Sequence, residues 1–274
     1  MRSRCAAWLF GLALLLPATL LKADVPTVAA ASDLQFALSE AAERFRAETG
    51  RDLRLNFGSS GNFRRQISQG APFELYLSAD EAYVLALHEE GRTEDKGAVY
   101  AIGRLAWLQR PGRDDLPGED DPLAGVREAL AAHAAGQGRP RLALANPEHA
   151  PYGVAAKQAL EHAGLWEETA PLRVLGENVS QAAQFALSGD ARGGLVAWSL
   201  ALAPAMAERS EHVLIPEAWH APLVQRMVLV EGAGETARAF YAWLQQAPAR
   251  EILAEYGFRL PGHEAVPDAG DATP

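Results

Sequence analysis

The chain has 274 residues, of which 49% are hydrophobic and 22% charged, and its formal net charge is −10. That length carries one large domain or two small ones with substantial cores, and the composition is that of a soluble globular protein. The acidic balance argues against nucleic acid as a partner. It also gives an anion no overall attraction, so any anion site must rest on local dipoles and hydrogen bonds.

At the N-terminus, Arg2 and Arg4 precede an apolar run from Ala6 to Leu21 that Pro17 interrupts, followed by Lys22-Ala23 and then Asp24. A basic start, an apolar middle and a small residue at the end predict a secretory signal peptide over residues 1–23. An uncleaved anchor is the alternative, and the run is short for a membrane span. Cys5 lies before the apolar run, which is not the lipoprotein arrangement. Loss of Arg2, Arg4 and Lys22 takes the net charge from −10 to −13 and removes the single cysteine. The mature chain then has no disulfide framework and no thiol chemistry.

From Val25 a short strand of small residues runs to Ala31. Ser32 or Asp33 caps a helix whose apolar positions are Leu34, Leu38, Ala41 and Phe45, ending at Gly50. A second unit follows: Leu53, Leu55 and Phe57 form a strand, Gly58-Ser59-Ser60-Gly61 a turn, and Phe63 and Ile67 a helix. The third unit has its strand at Phe73–Leu77, its cap at Ser78–Asp80 and its helix running to Gly91. Three successive strand–helix units predict a parallel sheet with right-handed crossovers, and ligands then sit beyond the carboxyl ends of the strands. Ser32 and Ser60 both fall at that edge.

Val99 to Leu108 reads as one strand leading out of the first lobe. Residues 111–122 form a polar surface loop. The pattern then repeats: strand Arg141–Ala145, connection Asn146–Gly153, helix Val154–Gly164, strand Leu172–Leu175, cap Glu177-Asn178, helix Val179–Leu187 and strand Gly194–Trp198. Val213–Ile215 and Leu223–Val230 are further strands, Thr236–Gln245 and Pro248–Tyr256 are helices, and the tail after Leu260 frays. The expected organisation is a signal peptide (1–23), a first lobe (24–104), a second lobe (105–202) and a return to the first lobe with the tail (203–274). Each lobe is an α/β unit with a mostly parallel sheet, and the ligand cleft lies between them.

No motif of an enzyme is present: there is no H-E-x-x-H, C-x-x-C, phosphate-binding lysine loop or G-x-S-x-G. The histidines at 88, 133, 149, 162, 212, 220 and 263 have no metal-ligand spacing and read as surface or satisfied residues. What recurs is the strand-to-helix junction rich in small and hydroxyl residues, at Ser32-Asp33, Ser59-Ser60-Gly61, Pro151-Tyr152-Gly153 and Asn178-Val179. Each alone can be an ordinary helix cap. Four together, two per lobe, suit an oxyanion buried between lobes. Arg64 and Arg65 lie inside a helix and read as solvated or ion-paired.

The runs Ala29–Leu34, Phe57–Asn62, Gln66–Pro72, Leu77–Asp80, Asn146–Gly153 and Glu177–Val179 together resemble the periplasmic molybdate-binding proteins of ABC transporters, over nearly all of the mature chain. The resemblance implies a type II periplasmic binding fold of two lobes holding molybdate or tungstate. Ser32 and Ser60 match the hydroxyl ligands, Val179 matches a backbone N–H donor, and Tyr152 falls where members use a backbone N–H or a tyrosine. Molybdenum would be met only as the oxyanion, through hydrogen bonds from Ser32, Ser60, Tyr152 and Val179. Many members place a tyrosine where this chain has Ala197, which leaves the fifth donor open, with the Tyr152 hydroxyl as the candidate. A carboxylate repels a dianion, so the Asp33 side chain is expected to turn away and only its N–H to face the ligand.

The function implied is a non-catalytic periplasmic receptor without a cofactor, monomeric, delivering its oxyanion to the membrane permease of a transporter. A site of neutral donors does not tell dianions apart by charge, so cavity size must separate molybdate from sulfate. The proton of hydrogen phosphate would find no acceptor in such a site. A receptor for sulfate or another tetrahedral oxyanion is the alternative. A secreted hydrolase using a serine of Ser59-Ser60 is the remote one.

Overall fold

The computed structural model describes residues 25–112 and 116–262. Residues 1–23, expected from the sequence to be a signal peptide, and the last residues of the tail lie outside the described residues. In the first lobe, β1 (Thr27–Ala31), α1 (Gln35–Thr49), β2 (Arg54–Gly58), α2 (Ser60–Ser68), β3 (Leu75–Ser78) and α3 (Glu81–Glu89) form the three expected units. β1 runs parallel to both β2 and β3, with Ala30 opposite Phe57 on one side and Leu77 on the other. Residues 28–31 of β1 are buried. A central parallel strand covered by helices on both faces is expected to be apolar throughout, and its alanines let those helices approach.

The chain leaves this lobe through β4 (Ala98–Gly103). It enters the second through β5 (Leu105–Gln109), α4 (Ala124–Ala134), β6 (Arg141–Ala145), α5 (Pro151–His162), β7 (Arg173–Gly176), α6 (Val179–Ala186) and β8 (Ala191–Ala197). Two short helices, α7 (Trp198–Ala201) and α8 (Pro204–Ala207), lead to β9 (Glu211–Leu214). β10 (Leu223–Leu229) then returns to the first sheet, and α9 (Glu235–Trp243) and α10 (Ala247–Glu255) finish the fold. The sheets are ordered β2-β1-β3-β10-β4 and β7-β6-β8-β5-β9. Each holds three parallel strands, then one antiparallel strand (β10 or β5), then an edge strand (β4 or β9) antiparallel to that one. In each, the strand beside the parallel trio is the first one after the chain crosses between lobes. This is the expected two-lobed α/β architecture.

Two details differ from the sequence reading. Val99–Leu108 is two strands in different sheets, divided at Arg104, because the alternating pattern runs on while the chain changes lobes. The return to the first lobe comes after Leu214, later than 203: β9 still pairs with β5, Val213 opposite Trp107.

Each lobe has its own core. On one face of the first sheet, Phe45 of α1 packs on Phe240 of α9 with ring centroids 5.0 Å apart. On the other, Phe63, Ile67, Val84 and Leu87 of α2 and α3 are buried. The second lobe is built around Trp107, 1% exposed. A Cβ at Gly193 would lie 2.4 Å from its ring, and one at Gly125 would lie 2.6 Å from it, so two glycines make its seat. Its Nε1–H donates to Gln109 Oε1 at 2.9 Å, which satisfies the buried indole.

Candidate functional site

All six parallel strands end at the junction of the lobes. Ser32 follows β1, Ser59-Ser60 follow β2, Ala79 follows β3, and β6, β7 and β8 lead to α5, α6 and α7. Ser32, Asp33, Ser60, Tyr152 and Val179 are brought together around one cavity. About 190 Å³ of space between atoms lies there, part of it open to solvent, which marks a small cleft. A more open depression with about 970 Å³ between its atoms lies at the far end of the second lobe, lined by Glu128, Arg139 and Asp190 among others. No helix starts converge on it.

Four of the cavity positions open a helical turn. Ser32 begins the 3-10 turn before α1, Ser60 and Val179 are the first residues of α2 and α6, and Tyr152 is the second of α5. N–H groups at such positions have no acceptor in their own helix, and they sit at the positive end of its dipole.

The two serine hydroxyls are set as donors by what they accept. Ser60 Oγ accepts from Ala79 N–H at 3.0 Å, and Ser32 Oγ accepts from Ser180 N–H at 3.3 Å. A hydroxyl has one hydrogen to give, and in both residues the fixed amide leaves that hydrogen for another partner. Tyr76 O–H donates to Ser60 O at 2.8 Å and holds the α2 turn from below. At α6, Asn178 is the expected cap, its side chain accepting from Gln181 N–H at 3.0 Å. No lysine, arginine or histidine lines the cavity.

Asp33 departs from its expected place. It caps no helix: the residue before α1 is Leu34, and no side chain bonds the α1 start. The Asp33 side chain is buried, 1% exposed. Its Oδ2 accepts from Gln225 Nε2 at 2.6 Å and from the Tyr152 hydroxyl at 3.1 Å. Tyr100 O–H donates to Gln225 Oε1 at 2.6 Å and so orients that amide toward Asp33. Burial raises the Asp33 carboxyl from 3.8 to about 6, against the lowering effect of the Gln225 and Tyr152 hydrogen bonds. Burial and the nearby Asp33 push the Tyr152 phenol well above its ordinary value. The Tyr152 hydroxyl is therefore committed to Asp33 and does not replace the missing tyrosine at Ala197. Trp198 packs its ring on His212, with centroids 4.8 Å apart, and its main-chain N–H donates to Arg104 O at 2.9 Å at the crossing between lobes.

A clasp joins the lobes at the mouth. Gly61 N–H donates to His149 O at 2.9 Å, and Ser59 Oγ donates to the same carbonyl at 2.5 Å. Ser59 Oγ also lies 2.9 Å from His149 Nδ1. With the hydroxyl hydrogen on the carbonyl, Nδ1 carries the proton and donates. Asn62 bonds Glu177 across the cleft, and Ser180 Oγ donates to Ser32 O at 2.8 Å. His149 Nε2 lies 3.7 Å from Glu177 Oε2, so a serine, a histidine and a carboxylate stand in sequence. They do not form a nucleophile–base pair, because the serine gives its proton to a main-chain carbonyl. Arg64 is ion-paired with Glu90 and Arg65 bonds Asn62, the ion-paired or solvated roles expected of them. His149, Gln225, Tyr100 and Ser180 are the site residues that the sequence did not announce. Among the described residues no group of three or more His, Cys, Asp or Glu could hold a metal ion.

The family model for bacterial extracellular solute-binding proteins matches residues 26–259. The molybdate-binding protein ModA of Rhodobacter capsulatus is 34% identical over 218 residues, 78% of this chain and 80% of its own length. The ModA protein of Azotobacter vinelandii is 32% identical over 85% of this chain and 89% of its own length. The structure of the Azotobacter vinelandii periplasmic molybdate-binding protein superposes with a TM-score of 0.75 at 30% identity, covering 86% of this chain and 99% of that one. The sulfate-binding protein SubI of Mycobacterium tuberculosis shares the fold, with a TM-score of 0.69 at 15% identity over 87% of each chain. Sequence, fold and the convergence of helix starts on one interlobe cavity agree: the chain belongs to the bacterial extracellular solute-binding protein family, among its molybdate-binding members.

Proposed function

We propose that this protein is a periplasmic receptor that closes two lobes around molybdate, or around tungstate, and delivers it as a monomer to the membrane permease of an ABC transporter. The observation that carries the reading is the donor set: two preset serine hydroxyls and helix-start amides from both lobes around a cavity without a lysine or arginine. The ligand is an oxyanion held through its oxygens, so no protein atom bonds the metal. Ser32, Ser60 and the amides at Asp33, Tyr152 and Val179 hold it. The role is binding, not catalysis, and needs no cofactor. Sulfate is the second reading, favoured only by the neutrality of the donors. Neutral donors do not separate the two dianions, so the spacing of the donors in the closed cleft must do so.

Titration calorimetry with molybdate, tungstate, sulfate and phosphate tests the reading. Tight binding of the first two and none of the last two is the expected outcome, and equal binding of sulfate would replace it with a general anion receptor. Ser60→Ala is expected to weaken molybdate binding about 10- to 100-fold. It removes a hydrogen bond to a charged group, worth about 1.5–3 kcal/mol, and strands the Ala79 amide. An unchanged affinity in that variant, with its melting temperature intact, would remove Ser60 from the site.

A further inference from the structure

Asp33 is the one acidic residue among those that line the cavity, and its two carboxyl oxygens differ. Oδ2 accepts two hydrogen bonds, from Gln225 and Tyr152. Oδ1 is fully enclosed and has no partner at hydrogen-bonding geometry, although the main-chain amides of Asp33 and Leu34 act on the carboxyl from nearby. A buried acceptor left alone is costly, and a bare carboxylate beside a dianion adds repulsion in a dry site. Both costs vanish if a proton sits on Oδ1. Oδ2, already holding two donors, is the poorer place for it.

We propose that Asp33 closes on the ligand as the neutral acid, its Oδ1–H giving a further hydrogen bond to the oxyanion beyond the serine hydroxyls and helix-start amides, so that each dianion captured takes one proton from solvent. This rests on the oxyanion reading of the cleft. It also supplies the donor that Ala197 lacks and that the committed Tyr152 hydroxyl does not provide. Burial favours the neutral acid, and among the described residues no cation opposes it. Asp33 is bonded by a tyrosine from α5 and an amide from β10, with Tyr100 of β4 behind that amide. α6 and α7, which pack on its turn, carry no titratable side chain. On α1, Glu40 bonds Tyr256, Glu48 bonds Arg44 and Arg46 pairs with Asp52, all at the exposed surface; Glu43 also lies there. Arg54 lies at the far, exposed end of β2, and Arg226, next to Gln225, is paired with Glu81. Among the described residues no cation pairs with Asp33. Its carboxyl, already raised to about 6 by burial, moves in the required direction.

The test is calorimetry of the protein with molybdate at pH 7 and pH 8, each in buffers of different ionisation enthalpy. The ligand is fully deprotonated at these pH values, so proton uptake belongs to the protein. The expected result is close to one proton taken up per molybdate, and an affinity that falls about tenfold from pH 7 to pH 8. Asp33→Asn, whose amide donates without a proton from solvent, is expected to bind with no uptake and a flat pH profile. His149→Gln is expected to keep the uptake, which separates Asp33 from the cleft histidine. Molybdate binding by the wild type without proton uptake overturns the proposal, whether or not the asparagine variant folds. So does phosphate binding without uptake, since the carboxylate would then be ionised and accept the phosphate proton. No binding of molybdate at any pH would instead overturn the oxyanion reading itself.

Discussion

Replacing Gly61 by alanine is expected to lower molybdate affinity about 10- to 100-fold while leaving each lobe folded. Gly61 is the second residue of α2 and is buried against the other lobe. A Cβ there would lie 2.7 Å from His149 O, 3.0 Å from His149 Cα and 3.1 Å from His149 Cβ. All three atoms lie across the cleft. The nearest obstacles to the added methyl therefore belong to the other lobe, while within a helix alanine is favoured over glycine by about 1 kcal/mol. It opposes only the closed state. The obstacle is backbone, which does not swing aside, and overpacking of this kind costs about 1–3 kcal/mol. Calorimetry gives the loss of affinity, small-angle scattering with and without molybdate gives the closure, and the melting temperature of the ligand-free protein is the control. An alanine variant that binds and closes like the wild type would mean that the clasp geometry is not that of the ligand-bound state.

Asp33→Asn is expected to stabilise the ligand-free protein by about 2–3 kcal/mol at pH 7.5 and to change little at pH 4. The sign follows from linkage. The Asp33 carboxyl is raised on folding from 3.8 to about 6. Between those values the native state binds the proton more tightly than the unfolded chain, so wild-type stability declines as pH rises through the window and stays reduced above it. One unit is worth about 1.4 kcal/mol, which sets the size. Asparagine keeps an acceptor for Gln225 and Tyr152 without a charge to bury. Urea unfolding of both proteins at the two pH values isolates the effect, because the other titrating groups are common to both. A gain no larger at pH 7.5 than at pH 4 would show that the buried carboxyl is not penalised.

Much of this arrangement was legible in the sequence because the junctions are local. Ser32 and Ser60 each follow a short apolar strand and precede helical spacing, which is enough to put them at one sheet edge. Asn178 caps α6 through a bond three residues long. The rest is non-local. Ser59 meets His149 across 90 residues, and Asp33 meets Gln225 across 192. No spacing rule spans such intervals. One signal was present: Leu223, Gln225 and Met227 share a face of β10, and all three are buried. A glutamine on an apolar face needs a partner, but not one that sequence can name. The division at Arg104 was hidden because strand alternation reports burial, not which sheet a strand joins. Asp33 was misplaced for a related reason. An aspartate just before a helical pattern reads as a cap, and only the tertiary pocket shows that its carboxyl is spent elsewhere.

In the proposed receptor the donors are shared between the lobes, with Ser32 and Ser60 lining the cavity from one side and Tyr152 and Val179 from the other. An ion enclosed this way leaves only when the walls part. The slow step of escape is then the breaking of the Ser59–His149 and Asn62–Glu177 contacts, which involve none of the ion's own atoms. Residence time becomes a property of the protein's opening rate. Anions that fill the cavity equally well should depart at the same speed, even where their capture rates differ. A transporter that spreads the clasp unloads the cargo without having to recognise it.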